Sequence, residues 1–520
     1  MHNENTIALI PHPSDDPRDP LNWAMRKKVP IVAALCLATF AGCASGLAGQ
    51  LIPGPQAKLY GVENTKMAYQ TSCSNAGMIV GSLILFPLSH KFGRSSVILW
   101  STVGVFVTQV WAACMTHSTQ YAPFLASRVM AGFFGTIAGI LGPRILFDLF
   151  FLHQRGRVFT YFYWAFDFGT VAGPTLSAFI STAGKGSWTY AFWWTAGLAA
   201  LAAIMVFLFV YETSWDRSEG ADNSAIATPD GFFASKIATF LPGTKVTKPA
   251  SMKQVLRVAA NPFLVMASPP MILLAMFTLI SFGFYVAMNA ITPVWLQKPV
   301  KLGGYGFTSK QNALFSFGHW AGIIMALIYG HFVSDRLPLW ICSRNRGIWK
   351  PEYRLYALIL PALIFNPIGL GLFGATLQNH WSWGILIWAQ IMVTFGSLST
   401  TPITVNYACE LFTKVPAETA IVMNNYRVGF GLSVAFYITP WVEDLGFRWT
   451  YGLMALLQVA SFGFVVVLMW KGHEIRQWKV GGLGSNEEGE YVKEKGRSMN
   501  ERIVRREHQV IEGEKGLHEV

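Results

Sequence analysis

Charge is what this chain of 520 residues has least of: Asp, Glu, Lys and Arg together make up 13% of it, about half the share of an ordinary soluble domain. A chain so poor in charge cannot clothe a water-exposed surface of its own size, which excludes a large soluble globule. Cysteine pairs are also missing. The six cysteines form no CxxC and no secreted spacing pattern, so they offer neither a metal knuckle nor a disulfide framework and read as small buried hydrophobes. No Asn-x-Ser/Thr acceptor occurs, which leaves the sidedness of the loops without a glycosylation marker. Catalytic signatures are absent too: there is no HExxH, no histidine pair at ligand spacing, no GxSxG and no phosphate-cradling GxxxxGK[ST]. That argues against a membrane enzyme and against ATP-driven transport. The polar opening, "MHNENTIALIPHPSDDPRDPLNWAMRKK", lacks the apolar core of a cleaved signal peptide, so the first apolar run is expected to direct insertion. No cofactor is implied.

What is present is apolar. Hydrophobic residues make up 52% of the chain and aromatics 14%, the balance of a protein whose main solvent is lipid. Twelve runs reach the roughly 20 residues that cross a bilayer. They lie at 29–52, 66–89, 95–115, 121–143, 157–182, 188–211, 263–296, 311–334, 355–377, 381–407, 417–441 and 448–470. The breaks between the fifth and sixth and between the eleventh and twelfth are short. The expected class is an all-α integral membrane protein with twelve transmembrane helices in two six-helix halves. The expected units are an N-terminal tail (1–28), a first bundle (29–211), a central loop (212–262), a second bundle (263–470) and a C-terminal tail (471–520). The net charge of +12 is scattered in short clusters, not gathered in one stripe, so no nucleic-acid partner is expected. Those clusters crowd the N-terminal tail and the even-to-odd loops, which predicts that both termini are cytoplasmic. Within the central loop, "DGFFASKIATFLPGTK" has the apolar and basic residues of a short helix lying on the inner leaflet, or of a plain linker.

The halves echo one another. "FDLFFLHQRG" after the fourth run and "CELFTKVPAE" after the tenth each set an acid before Leu-Phe, at Asp148 and Glu410; Arg155 follows in the first. "SHKFGRSS" has a weaker counterpart in "VSDRLPLW". Coincident placement favours duplication.

With "PLSHKFGRSS", "SRVMAGFFG", "GTVAGPTLSA" and the leader "DPRDPLNW" in this order, the chain resembles fungal members of the major facilitator superfamily, in the drug:proton antiporter branch. "PWVEDLGFRW" and "RNRGIWKPEYRL" are similar to a subgroup that includes polyamine and organic-cation carriers. The resemblance runs to about residue 481 and implies the major facilitator fold and alternating access. It implies that Arg94, behind the Gly93 turn, meets Asp148 in a latch closing the cytoplasmic side, and more weakly that Asp335 and Arg336 serve the second half. His90 stands where the family usually has an acid, which would make the latch weaker or pH-sensitive. Gly169, Gly173 and Ser177 recur every four residues and make a close-packing face, while Pro174 bends the segment. The antiporter motif usually continues with two glycines where this chain has Ser177 and Ala178. The same face also suits any membrane helix seam. The resemblance gives Arg128 a part in proton coupling; the alternative is a structural anchor for span-end carbonyls.

One acid has no family precedent. Asp167 sits inside the fifth run, where an unpaired charge costs upward of ~3 kcal/mol, so it either stays protonated or is held by a cation. Counted along the helices, Arg128 is within reach. Alternation of Asp167 between a proton and Arg128, or between a proton and a cationic substrate, would supply exchange; a permanent Asp167–Arg128 pair would only join two helices. Tyr163 and Thr170 share the face of Asp167. Tyr285, Asn289, His319, Trp320, Asn424 and Arg427 are further cavity candidates, their aromatic faces suiting amphipathic or cationic ligands. The expected function is proton-coupled efflux of a metabolite or toxic compound by a monomeric carrier, at the plasma membrane or an internal membrane such as the vacuole. The alternatives are uptake of polyamines or other organic cations, and a sensor that binds without flux.

Overall fold

A computed structural model describes residues 16–183, 187–215, 231–240, 251–345, 350–412 and 415–476. The tail residues 1–15 and 477–520, and residues 216–230 and 241–250 of the central loop, lie outside the described residues. The first part of the chain forms α1 (Met25–Leu47), α2 (Pro53–Tyr60), α3 (Tyr69–Phe92), α4 (Arg94–Cys114), α5 (Tyr121–Gly135), α6 (Ile137–Leu149), α7 (Leu152–Ala183) and α8 (Tyr190–Phe209). The short α9 (Phe232–Phe240) and α10 (Met252–Met266) follow. The remainder forms α11 (Pro269–Gln297), α12 (Ser309–Phe315), α13 (Phe317–Tyr329), α14 (Leu337–Arg344), α15 (Asn366–Gln378), α16 (Trp383–Leu411) and α17 (Pro416–Arg476).

Among the described residues, ten helical stretches are long and apolar enough to cross a membrane. α7, which carries Asp167, and the first arm of α17 bring the number to the expected twelve. Lipid dictates helices here because no water is present to satisfy a stray backbone group. The expected short break between the last two spans falls at Gly446, whose φ of 75° and ψ of 162° are non-helical and split α17 into two arms; the Gln378 side chain accepts the N–H of Phe447 there at 3.0 Å. The fourth run divides at Thr136 between α5 and α6. The ninth begins as a 3-10 turn, Pro351–Leu358, then a π-helical stretch, Ile359–Phe365, before α15. Two capping boxes start helices beside polar loops, Ser251 with Gln254 for α10 and Thr308 with Gln311 for α12.

One apolar core is drawn mainly from α11 to α17, with Val171 of α7 and Val265 of α10 joining it; two others come mainly from α1 to α8, with Ile421 of α17 in one and Ala313 of α12 in the other. The small-residue face of α7 packs on α1. A Cβ on Gly173 would overlap the Ala44 Cα, and one on Gly169 would press on Phe40 and Cys43; backbone contact of this kind is what holds helices together where lipid is as apolar as leucine. Further along α7, Ser177 accepts the Trp194 indole N–H at 2.8 Å.

The short helix expected in the central loop is α9. Phe232, Phe233 and Ile237 face outward from it, while Lys236 donates to the Val210 carbonyl at 2.8 Å and stands 3.4 Å from the centre of the Tyr211 ring. Lys27 flanks the same ring at 4.4 Å. Burial, with Lys27 adding to it, pushes the Lys236 amine from 10.5 down to about 7. Because the docked value is lower than the free one, the undocked helix binds more protons between those limits. Docking therefore strengthens as pH rises through that window and weakens as pH falls through about 7. Hydrogen-exchange protection of α9, corrected for intrinsic rates, should drop between about pH 8 and about pH 6 in the native chain and stay level in Lys236→Met. Identical profiles would remove Lys236 from the docking.

Candidate functional site: an ion pair at a central cavity

At the end of the bundle that carries the first described residues, α3 stops at Gly93, whose φ of 90° is open to glycine at little cost. Its N–H returns to the Ser89 carbonyl at 3.1 Å, and α4 begins at once with Arg94. Arg94 meets Asp148, the last acid of α6, in an ion pair that is largely shielded from solvent. Each charge stands at the disfavoured end of its own helix, a cation at the start of α4 and an anion near the end of α6, so the pair and not the dipoles keeps them there. Glu212, at the exit of α8, accepts the Ser95 N–H at 3.1 Å, and the Thr213 hydroxyl donates to Asp148 at 3.4 Å. His90 lies edge-on to Phe86 at 5.2 Å, within the field of Arg144 and Arg94. Arg155 belongs to α7, but its side chain lies outside the described residues.

The second half builds its counterpart from other residues than expected. Arg354 donates from both Nε and Nη2 to Glu410, at 3.0 and 2.8 Å, so the carboxylate that echoes Asp148 does take an arginine. Arg336 instead lies over the Phe332 ring at 5.4 Å, and Asp335 feels the charges of Arg354 and His331. Of the two residues expected to serve the second half, Asp335 thus stands in the field of the arginine that holds Glu410, and Arg336 stacks on the π-helical turn Gly330–Ser334 just before it.

Midway along the bundle a cavity of about 60 Å³ lies between the first eight helices and α11–α17. Contacts between the two groups stand on either side of it. Toward the Arg94–Asp148 pair, the Ser82 hydroxyl donates to Asn425 at 2.9 Å. Toward the other end, Gln50 donates to the Asn289 carbonyl at 3.0 Å, Gln297 and Asn312 donate to the Leu51 carbonyl at 3.0 and 3.1 Å, and the Trp320 indole donates to Thr175 at 3.2 Å.

Arg427 is the charged residue of the cavity lining. Its Nη1 is 3.7 Å from Asp167 Oδ1, longer than a hydrogen bond, and Nη2 donates to Asn424 at 3.0 Å. The guanidinium lies over the Phe166 and Phe282 rings at 4.7 and 5.0 Å. Among the described residues its Nε–H has no acceptor. Arg427 thus replaces Arg128 as the partner of Asp167. Arg128 turns to the far end of α1, where its Nη2 donates to the Ser45 and Gly46 carbonyls at 2.5 and 2.9 Å and its Nη1 to Gln109 at 3.3 Å. Carbonyls in the last turn of a helix have no partner within it, and a cation there also suits the dipole, so Arg128 has the contacts that the anchor alternative expects.

Of the other expected cavity residues, Thr170, Tyr285, Asn289 and Asn424 line it. Tyr163 packs on Phe159 and Phe162 instead. His319 accepts or donates at Thr394, 2.7 Å away, and lies edge-on to Tyr285 at 5.9 Å, one layer behind the wall. Trp320 packs against Phe168 at 4.8 Å and serves the contact between helix groups. The sequence reading did not single out Gln50, Thr71, Asn75, Thr136, Phe166 or Phe282, which also line the cavity. An amide or hydroxyl inside an apolar run was the available signal for the first four.

A helical bundle around a mostly apolar central cavity with a few polar side chains, and with closing contacts on both sides, has the architecture of a membrane carrier. The chain belongs to the Major Facilitator Superfamily, whose sequence signature matches residues 34–425. It is a transporter and not an enzyme. It is 24% identical to Protein HOL1 of Saccharomyces cerevisiae, over 91% of this chain and 90% of the relative. Efflux pump radE of Floropilus chiversii is 25% identical over 89% of this chain and 83% of its own length. MFS-type transporter penM of Penicillium rubens is 26% identical over 89% and 88%. Among solved structures, a partially occluded inward-open form of the xylose transporter XylE from E. coli superposes with a TM-score of 0.59 at 15% identity, over 86% of this chain and 98% of that one. The human organic anion transporter MFSD10 does so with 0.54 at 16%, over 84% and 99%. At such identities the likeness concerns the fold alone.

Proposed function

We propose that this carrier performs proton-coupled efflux of a small organic molecule by alternating access, its two six-helix halves rocking about the central cavity. The observation that carries the reading is the Asp167–Arg427 pair, whose arginine lines the cavity while the aspartate stands behind it. A largely buried carboxylate held by one arginine has two settled states, ionised with its partner or protonated without it, and a substrate that disturbs the pair disturbs the proton too. Efflux is supported by the resemblance to the antiporter branch and by the name of the radE relative. The Arg94–Asp148 pair is the latch of the cytoplasmic side, and the positive-inside bias sets both termini there. The plasma membrane is the first choice of location, and the monomer is the working unit. Uptake of polyamines or other organic cations is the weaker reading, because Arg427 on the wall repels a cation.

The test is flux in proteoliposomes under an imposed pH gradient, with matched aromatic acids, amides and amines as trial substrates. The native chain should move at least one class at a rate that follows the gradient, and Asp167→Asn should lose that dependence by about tenfold or more. Flux that ignores the gradient in both proteins would sink the coupling. Saturable binding with no flux would make the protein a sensor.

A further inference from the structure

Resting on the reading of Asp167 and Arg427 as the coupled site, we propose that the substrate is a planar organic anion, bound through its acidic group to Arg427, and that Asp167 is the internal surrogate for that group. The lining carries one charge, and it is positive. Among the described residues no carboxylate lines the cavity; Asp167 approaches Arg427 without being part of the wall. The pair is loosely made: the 3.7 Å separation leaves no direct hydrogen bond, and the Nε–H of Arg427 has no acceptor among the described residues. A guanidinium has five donors in a rigid fork, and here one side chain, Asn424, accepts from it. A second acidic group can therefore enter without the arginine losing contact with protein. Phe166, Phe282 and Tyr285 supply flat apolar walls for the body of the ligand, while Gln50, Asn75 and Asn289 supply amides for its other polar atoms.

Asp167 then has a definite part to play. In the empty carrier it neutralises an arginine that would otherwise stand unpaired in lipid depth, at a cost of several kcal/mol for one uncompensated ion. When a ligand anion takes over the guanidinium, two anions would face one cation, so the aspartate gives up its claim by accepting a proton. The other titratable groups around it are Tyr163 on its own helix, Cys43 on α1 and Tyr285 on α11; none is a cation, which leaves Arg427 as the charge that decides. Linkage sets the sign: anion at Arg427 and proton at Asp167 favour one another. An acid would thus cross together with its proton, so an inward proton gradient would drive its uptake: the coupled site of the proposed function stays and the direction of transport reverses.

The probe is radiolabelled 1-naphthalenesulfonate, whose charge does not change across the working pH range, compared with the uncharged 1-naphthalenesulfonamide and the cationic 1-naphthylmethylamine on purified full-length protein. Sulfonate should bind saturably and be displaced by neither of the others, its affinity rising about tenfold or more as pH is lowered from about 8 to about 5. Arg427→Gln should abolish binding. Asp167→Asn should bind about tenfold tighter than the native chain at about pH 8 and show no pH dependence; a gain of affinity cannot come from misfolding. Preference for the amine or the sulfonamide, unchanged binding in Arg427→Gln, or no sulfonate binding in either the native chain or Asp167→Asn would overturn the anion assignment. Flux without sulfonate binding leaves the transporter reading standing and removes this one; sulfonate binding without flux does the reverse.

Discussion

Gly173→Leu should leave almost no folded carrier in the membrane. The reason is the contact of α7 with α1: even a methyl group at this position would overlap the Ala44 Cα, and backbone cannot rotate aside as a side chain does. Ordinary overpacking costs about 1–3 kcal/mol; forcing two helices apart also strips the neighbouring contacts at Gly169 with Phe40 and Cys43. The displaced α7 carries Asp167 away from Arg427, so the site is lost with the seam. Size-exclusion chromatography of a fluorescent fusion should show the monodisperse peak reduced about tenfold or more. Gly197→Leu is the control, since Gly197 on α8 is exposed with nothing within 4 Å of an added Cβ, and its peak should match the native one. A normal peak for Gly173→Leu would show that the α1–α7 contact is not close in the protein as it folds in lipid.

The second large effect belongs to the latch. Arg94→Ala should fold but lose most of its gradient-driven flux. An ion pair that closes one side of a carrier acts through the population of that closed form. A coupling of about 1–3 kcal/mol corresponds to a shift of about 5- to 150-fold in that population. Removing Arg94 also leaves Asp148 near the end of α6, where the helix dipole disfavours an anion. The exchanged pair, Arg94→Asp with Asp148→Arg, is the sharper test. It restores an ion pair and puts each charge at the end of its helix that the dipole favours, although the new arginine must tolerate Arg144 nearby. Flux should recover in part in the double variant and be low in each single one. Native flux in Arg94→Ala would remove the latch, and low flux in the double variant would assign the two residues separate roles.

How much of this was readable in advance depended on whether the cause was local. The turn at Gly93 was, because a helix stop followed by an arginine needs only neighbouring residues, and Asp148 was the nearby acid at the same end of the bundle. The packing face of α7 was, because a four-residue repeat of small side chains lies on one side of a helix wherever that helix goes. Arg128 and Asp167 show the opposite. Depth along a helix placed them within reach of one another, but depth does not say toward which neighbour a side chain turns. Arg128 turned to α1 and Asp167 to α17. The same holds for Glu410, whose acid was recognised as the echo of Asp148 while its cation, Arg354, came from a turn past a register shift.

By itself the sequence determined the solvent of this protein, the run of its apolar helices and the residues able to make close helix contacts. Each of these follows from composition or from periodicity within a single helix. The tertiary structure alone decided which charges meet, which amides line the cavity and which aromatic groups stand behind its wall. Those depend on how a dozen helices are rotated about their axes, and in lipid that rotation is chosen by the summed packing of all their faces.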